Sequence, residues 1–414
     1  MENKKQSSRA ILPICCALVV QLCVGILYLW SVFKTPIVES FNWTASAAGM
    51  VSSYMLLAFV SGNLIGGFIN DKKGPKTTCF CGMILFSLGI ALTAFLTEST
   101  IGLIYLTYCV MGGLGSGFAY GACISCIQKW LPHRRGLASG LACGAFGLST
   151  VIFTPLSNTL MGIFTQDGVV NFKPVFLILA VVFAVFGLSA TCFVKLPDEE
   201  YLASLNLQKT AAAVQKNYTL GEAMKTSSFW CLFFSIFFIN GTWNLCVPLI
   251  KDLGVARGLT TSAAIACVSF TGITNAAGRI IMSTVSDKLG RTTTMHILSI
   301  LTFVGAVLTT FITGYGYFAT IALIAFAYGG PSALNAALCT DLFGPKNSGV
   351  NYGVAMLALG FSSIFFNWVS ANLLHATVEN VTSTFVMGAI TALVPIILMT
   401  IIQRNLKKRD AANA

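Results

Sequence analysis

Charge is scarce in this chain: only 9% of its 414 residues are Asp, Glu, Lys or Arg, against roughly 25% in soluble globular proteins. Too few charged side chains are present to cover a water-soluble domain of this size. Acidic residues are the scarcer kind, 14 against 25 basic ones, and there are three His. No Cys/His array has the spacing of a zinc site, and no HExxH, membrane-embedded Asp pair or Ser/His set suggests an intramembrane enzyme. Glycine, at 38 residues, has no period of three, which excludes a collagen-like chain. What is abundant is apolar. Hydrophobic residues make up 56% of the chain and the mean hydropathy is +0.80. Disorder requires the opposite composition. A polytopic membrane protein remains.

Twelve apolar segments stand out, at 11–33, 45–70, 77–97, 100–128, 136–160, 173–194, 228–250, 261–284, 293–313, 316–340, 349–375 and 382–402. Each suffices for a bilayer core of about 30 Å, which takes about 20 helical residues. Lipid offers the backbone no hydrogen bonds, so these segments read as helices. The ten-residue alternation of a membrane barrel is missing. Most cysteines lie inside the apolar runs. Cys123 and Cys126 have a C-x-x-C spacing, but positions i and i+3 share a helix face, where small residues suit packing.

The net charge of +11 does not point to nucleic acid, because the basic residues fall in short clusters between apolar spans. Twenty lie in the N-terminal segment, the even-numbered connections and the tail, and four (Lys34, Lys173, Lys251 and Arg257) on the other side. That asymmetry predicts a multi-pass protein of the cell membrane with both termini in the cytoplasm. The polar stretch 195–227 divides the chain into an N-terminal six-helix bundle, 1–194, a cytoplasmic linker and a C-terminal six-helix bundle, 228–414. A short surface helix is expected near Tyr218–Lys225.

An internal repeat supports the division. Gly62, Gly66, Asp71, Lys72 and Gly74 in the first half answer to Gly278, Asp287, Lys288 and Gly290 in the second, with nine residues from Gly62 to Asp71 and from Gly278 to Asp287. Glycines let neighbouring helices approach closely. Asp71 and Asp287 stand at the membrane edge, where each can pair with a basic group or a helix N-terminus. A weaker pair is Gly136/Gly140 and Gly349/Gly353. The glycine–aspartate loop pattern resembles the cytoplasmic motif of the major facilitator superfamily. That resemblance implies an all-α membrane fold of twelve transmembrane helices in two pseudo-symmetric six-helix halves, with a substrate site at the midplane between them.

Other residues carry a narrower resemblance. Lys129-Trp130-Leu131-Pro132-His133-Arg134-Arg135-Gly136-Leu137-Ala138-Ser139-Gly140, Asp341-Leu342-Phe343-Gly344 with Asn351-Tyr352-Gly353, and Thr226-Ser227-Ser228-Phe229-Trp230 are similar to the oxalate/formate antiporter family, related to the monocarboxylate transporters. It implies secondary transport of a small organic anion, without cofactor or metal, by a monomer in the lipid bilayer.

Arg279 is the most informative single residue. It lies eight residues before Asp287, about 12 Å below the membrane edge at 1.5 Å per residue. An arginine at that depth costs about 2.5–3.5 kcal/mol on insertion scales. No Asp or Glu falls mid-span to neutralise it, so its natural partner is an anionic substrate. The alternative is that it bonds helix carbonyls and is structural. The first-half counterpart is neutral Asn63. The family resemblance implies that an arginine in helix 8 binds substrate carboxylate. In oxalate carriers of that family a lysine in helix 11 supplies a second cation. Here 347–377 contains no Lys or Arg, and Leu359 occupies the place. One fixed charge suits one carboxylate. Monocarboxylate transporters carry an Asp four residues before the arginine for proton coupling; here it is Asn275, which can orient the guanidinium but takes no proton. Tyr28, Tyr120 and Tyr328 are further candidates, each a phenol donor with an apolar face. The function these residues predict is exchange or facilitated diffusion of a monocarboxylate such as formate, lactate or pyruvate by alternating access. The alternatives are a proton-coupled carboxylate symporter and an exporter of a non-carboxylate solute.

Overall fold

The computed structural model describes residues 2–25, 29–166, 168–204, 217–246, 250–374 and 381–413. Nearly all of them are helical. In chain order the elements are α1 (Glu2–Val24), α2 (Trp30–Ser40), α3 (Ala45–Lys73), α4 (Pro75–Thr93), α5 (Gly113–Trp130) and α6 (Arg135–Ile163). A hairpin of β1 (Thr165–Gln166) and β2 (Val169–Val170) leads to α7 (Phe172–Phe183), α8 (Ser189–Thr191) and α9 (Glu199–Ser204). Then come α10 (Leu220–Met224), α11 (Ser227–Cys246), α12 (Ile250–Ala256), α13 (Thr261–Leu289), α14 (Arg291–Phe311), α15 (Gly314–Phe343), α16 (Ser348–Trp368) and α17 (Val381–Asn413).

Eleven helices among the described residues are long and apolar enough to cross a membrane, and Ala10–Val24 is a shorter apolar helix. Within the expected first span, 11–33, α1 runs to Val24 and α2 starts at Trp30, and residues 26–28 lie outside the described residues. The fourth span is continuous from Glu98 to Trp130, but it enters as a 3₁₀ turn and a π-helical stretch, Tyr105–Gly112, before becoming α5. On α4, Phe80, Ile84, Leu88 and Leu92 are all exposed at a spacing of four. A continuous apolar stripe of this kind is a liability in water and the natural surface in lipid.

Turn chemistry fixes the α3–α4 and α13–α14 connections. Gly74 (φ +81°) and Gly290 (φ +88°) each end one helix and begin the next in the left-handed region, where glycine alone is unstrained. The short α10 forms as expected. Thr219 and Glu222 cap it reciprocally, Thr219 N–H donating to Glu222 Oε2 at 2.8 Å and Glu222 N–H to Thr219 Oγ1 at 3.4 Å. At the end of α5, Trp130 Nε1–H donates to the Lys195 carbonyl at 2.8 Å, and Tyr201 O–H to the Trp130 carbonyl at 3.2 Å. Burial pushes the Tyr201 phenol pKa up.

Contacts gather the chain into two units. The first comprises 1–132, 145–217 and 343–354; the second comprises 133–144, 218–342 and 355–414. The core of the first is aromatic, with Trp30 packed on Tyr108, Phe33 on Phe176 and Phe86 on Phe183. In the second, Ile250, Leu253, Leu259, Tyr317, Ile321 and Phe385 form a buried cluster. Above it Arg257 closes the C-terminus of α14. Its guanidinium donates to the carbonyls of Thr309 (2.8 Å), Ile312 (2.7 Å) and Thr310 (3.0 Å), a favoured place for a cation because those carbonyls lack helical partners.

Candidate functional site

The repeated aspartates each sit over a helix start, one in each unit. Asp71, in the last turn of α3, accepts from the N–H groups of Gly349 (3.2 Å) and Val350 (2.9 Å) at the N-terminus of α16. Asp287, in the last turn of α13, accepts from Gly136 and Leu137 at the N-terminus of α6, both at 2.9 Å. A carboxylate here satisfies two orphan donors and meets the positive end of the helix dipole. Lys72 and Lys288 are exposed. Gly62 and Gly66 let α3 approach the backbone of α5 at Leu114 and Phe118, and Gly278 lets α13 approach the carbonyl of Phe326 on α15.

The Asp287 cap is reinforced by charges that lie far apart in the sequence. Arg291 reaches Asp287 Oδ1 at 2.7 Å and Asp341 Oδ2 at 2.9 Å, and Arg135 reaches Asp341 Oδ1 at 2.9 Å. Arg291 also donates to Ser286 Oγ at 2.6 Å. Beside Asp71 the hydrogen-bonded neighbours are neutral: Asn70, whose amide is 3.4 Å from it, then Ser125 and Ser348.

Two turns below Asp287, Arg279 is buried, with 3% of its surface exposed. Its Nε–H donates to Asn275 Oδ1 at 2.8 Å and its Nη1–H to the backbone carbonyl of Cys143 on α6 at 3.1 Å. Asn275 stands at i−4, so helix geometry alone brings it under the guanidinium. These two acceptors are neutral oxygens, which orient the guanidinium. Asn275 and Tyr328 are drawn to the same region because Gly329 of α15 packs against the Asn275 carbonyl. The neighbouring Tyr328 ring stacks on Trp243 of α11 at 4.9 Å and 15°. Next to Trp243, Asn244 donates to Ser362 Oγ of α16 at 3.4 Å.

The other tyrosines are placed differently. Tyr120 belongs to the first unit, where its ring packs between Phe59 and Phe146 and its carbonyl accepts from Gln21 at 3.1 Å. Tyr28 lies outside the described residues. His296 is half-buried, with Nε2 3.0 Å from the Ile396 carbonyl of α17. Cys123 faces Cys79, Sγ to Sγ 3.6 Å, inside the packing of α4 on α5. The residue that sequence reasoning missed is Cys143, which acts through its backbone. The signal available was the Gly136-x3-Gly140-x3-Gly144 spacing around it.

The profile of the Major Facilitator Superfamily matches residues 14–367. The chain belongs to that superfamily. It is 28% identical over 359 residues to YhjX, an uncharacterized MFS-type transporter of Escherichia coli (strain K12), covering 84% of each chain. It is 27% identical over 387 residues to the oxalate:formate antiporter of Oxalobacter formigenes, covering 91% of this chain and 87% of that one. Among solved structures it is similar to the major facilitator FucP in an outward conformation, with a TM-score of 0.74 at 13% identity over 95% of this chain and 99% of that one. The protein is therefore a multi-pass membrane transporter of the twelve-helix major facilitator fold, and not an enzyme.

Proposed function

We propose that this major facilitator carries a small organic monocarboxylate, such as formate, lactate or pyruvate, by alternating access, as an exchanger or a facilitated carrier. Arg279 is the carboxylate-binding residue, with Asn275 orienting it and Tyr328, Tyr120 and Tyr28 as further contacts. The observation that carries this reading is a buried mid-span guanidinium held by neutral oxygens. An anion is the ligand that offsets the cost of that cation in lipid. The single charge favours one carboxylate over two. The similarity to an oxalate:formate antiporter supports an organic anion as cargo. Asp71 and Asp287 act as caps that release and re-form as the two six-helix repeats, 1–194 and 228–414, expose the site to either side. The protein works as a monomer in the cell membrane with both termini cytoplasmic.

The bond from Arg279 to the Cys143 carbonyl favours a second reading, an exporter of a non-carboxylate solute in which Arg279 is structural. Counterflow in proteoliposomes against formate, lactate, pyruvate and oxalate decides between them. Monocarboxylate exchange that disappears in Arg279→Ala supports the first reading. Absence of exchange with every acid, by correctly inserted protein, supports the second.

A further inference from the structure

Trp243 of α11 is more open than its place on the helix requires. Leu232, Ile236 and Ile239 are buried, whereas Trp230 and Phe234, on the opposite side of α11, are exposed. At about 3.6 residues per turn, Trp243 falls between Ile236 and Ile239, in the middle of the buried side. It is nevertheless only half-buried, so its open surface faces the interior of the second unit and not lipid. The ring it stacks on, Tyr328, 4.9 Å away at 15°, is also half-buried, on a helix with no exposed residue over 320–343. The backbone that carries the indole is anchored on both sides. Thr242 donates to the Gly388 carbonyl of α17 at 2.7 Å, and Asn244 to Ser362 Oγ of α16 at 3.4 Å.

The stacked rings stand at the level of the guanidinium. Helical side chains lean toward the N-terminus, and that of Arg279 does so, its Nε–H meeting Asn275 Oδ1 one turn back. A methyl group on Gly329 would strike the Asn275 carbonyl, so Gly329, with Tyr328 beside it, packs against that same turn of α13. Three helices, α11, α13 and α15, thus bring a guanidinium, an amide and two stacked rings to one level of the second unit. The charge and the rings recognise different things. A guanidinium takes a carboxylate whatever is attached to it. An aromatic face discriminates among the attachments, because the gain from covering it grows with each CH₂ taken out of water.

We infer that Trp243 is a specificity-determining residue: its open surface, held in place by the stack on Tyr328, receives the carbon chain of an acid whose carboxylate is on Arg279. The substrate class narrows accordingly to monocarboxylates with an apolar or planar chain, such as lactate, pyruvate and longer acids. Formate has no chain, leaves the indole uncovered and is the poorest of the series. The inference rests on the reading of Arg279 as the carboxylate-binding residue and deepens it, by naming which acids that residue holds best and the side chain that selects them.

The experiment uses the full-length transporter in proteoliposomes and measures how strongly formate, acetate, propionate and butyrate compete with counterflow of labelled lactate or pyruvate. In the unaltered protein the inhibition constant is expected to fall by up to about fourfold with each added methylene, the worth of burying one CH₂. Trp243→Ala should flatten that series while leaving the constant for formate unchanged. Trp243→Phe, which keeps an aromatic face, should retain most of the slope, and its retention shows that the flattening is not a folding defect. A merely structural Trp243 would move all four acids together, formate included. A series without slope in the unaltered protein, a slope that persists in Trp243→Ala, or an equal shift for all four acids overturns the inference and leaves the transport reading standing. Failure of lactate, pyruvate and formate alike to exchange overturns the transport reading, and this inference with it.

Discussion

Two caps built on the same repeat have become unequal. Asp71 over the start of α16 and Asp287 over the start of α6 make the same pair of backbone hydrogen bonds. Around Asp71 the hydrogen-bonded neighbours are an amide and two hydroxyls; around Asp287 two arginines and a second aspartate form a chain of ion pairs. The contrast continues eight residues deeper into each helix. Asn63 is buried, and among the described residues neither of its amide atoms has a hydrogen-bond partner. Its counterpart Arg279 is held on two sides. Duplication supplied the glycines, the turns and the caps. Both aspartates have cationic neighbours, Lys129 acting on Asp71 through space and Arg291 bonding Asp287 directly, but the second copy alone carries an arginine eight residues deeper.

Removing the charge from the richer copy should have the largest effect. Arg279→Ala is expected to lower monocarboxylate exchange in proteoliposomes by about a hundredfold or more, the scale of losing one partner of a buried ionic contact. Arg279→Lys should retain a small fraction, because an ammonium keeps the charge and loses the fork. Normal exchange by the alanine variant would remove the reason for calling the two copies functionally different.

Adding a second charge tests the one-charge argument. Leu359→Lys places a cation in α16, the helix whose start Asp71 caps. Preference should shift from formate toward oxalate by up to about a few hundredfold, since a monocarboxylate leaves the new ammonium uncompensated at about 2.5–3.5 kcal/mol. Both acids would be measured in the same vesicles. An unchanged ratio would mean that Leu359, which is half-buried, faces lipid or packing.

The caps themselves should differ by less. Asp287→Asn strips Arg291 of a partner and weakens two N–H bonds, and should slow exchange by about tenfold. Asp71→Asn disturbs a cap with neutral hydrogen-bonded neighbours and should cost a few-fold. Equal losses would show that the ion-pair chain adds nothing to the second cap. The smallest expected effect is none. No described Asp or Glu stands mid-span, so exchange should be indifferent to an imposed pH gradient between about pH 6 and 8. Accumulation driven by a proton gradient alone would favour proton symport and direct attention to the edge aspartates or to His296.

Much of this was legible in the residues. Hydropathy marked the spans, because a helix that crosses lipid must be apolar for its whole length. Helix geometry put Asn275 beneath Arg279, and the equal Gly-to-Asp spacing exposed the repeat. The ion pairs were not legible. Asp341 lies 50 residues from Arg291 and 206 from Arg135, and only folded packing brings them together. Nor was the bond to Cys143, since a carbonyl is present at every position and leaves no mark in a sequence.

The last helix has a consequence of a practical kind. At 33 residues and 1.5 Å per residue, α17 is about 50 Å long, well beyond a ~30 Å hydrocarbon layer. Its overhang is splinted to its neighbours: Asn405 donates to Ser227 and Ser228 at the start of α11, and Arg409 to the Leu342 carbonyl near the end of α15. The overhang is thus a rigid lever fixed to the second unit. A fluorophore attached at exposed Lys408 would turn with that unit instead of tumbling, so its polarisation in a working membrane would test the proposed alternating access.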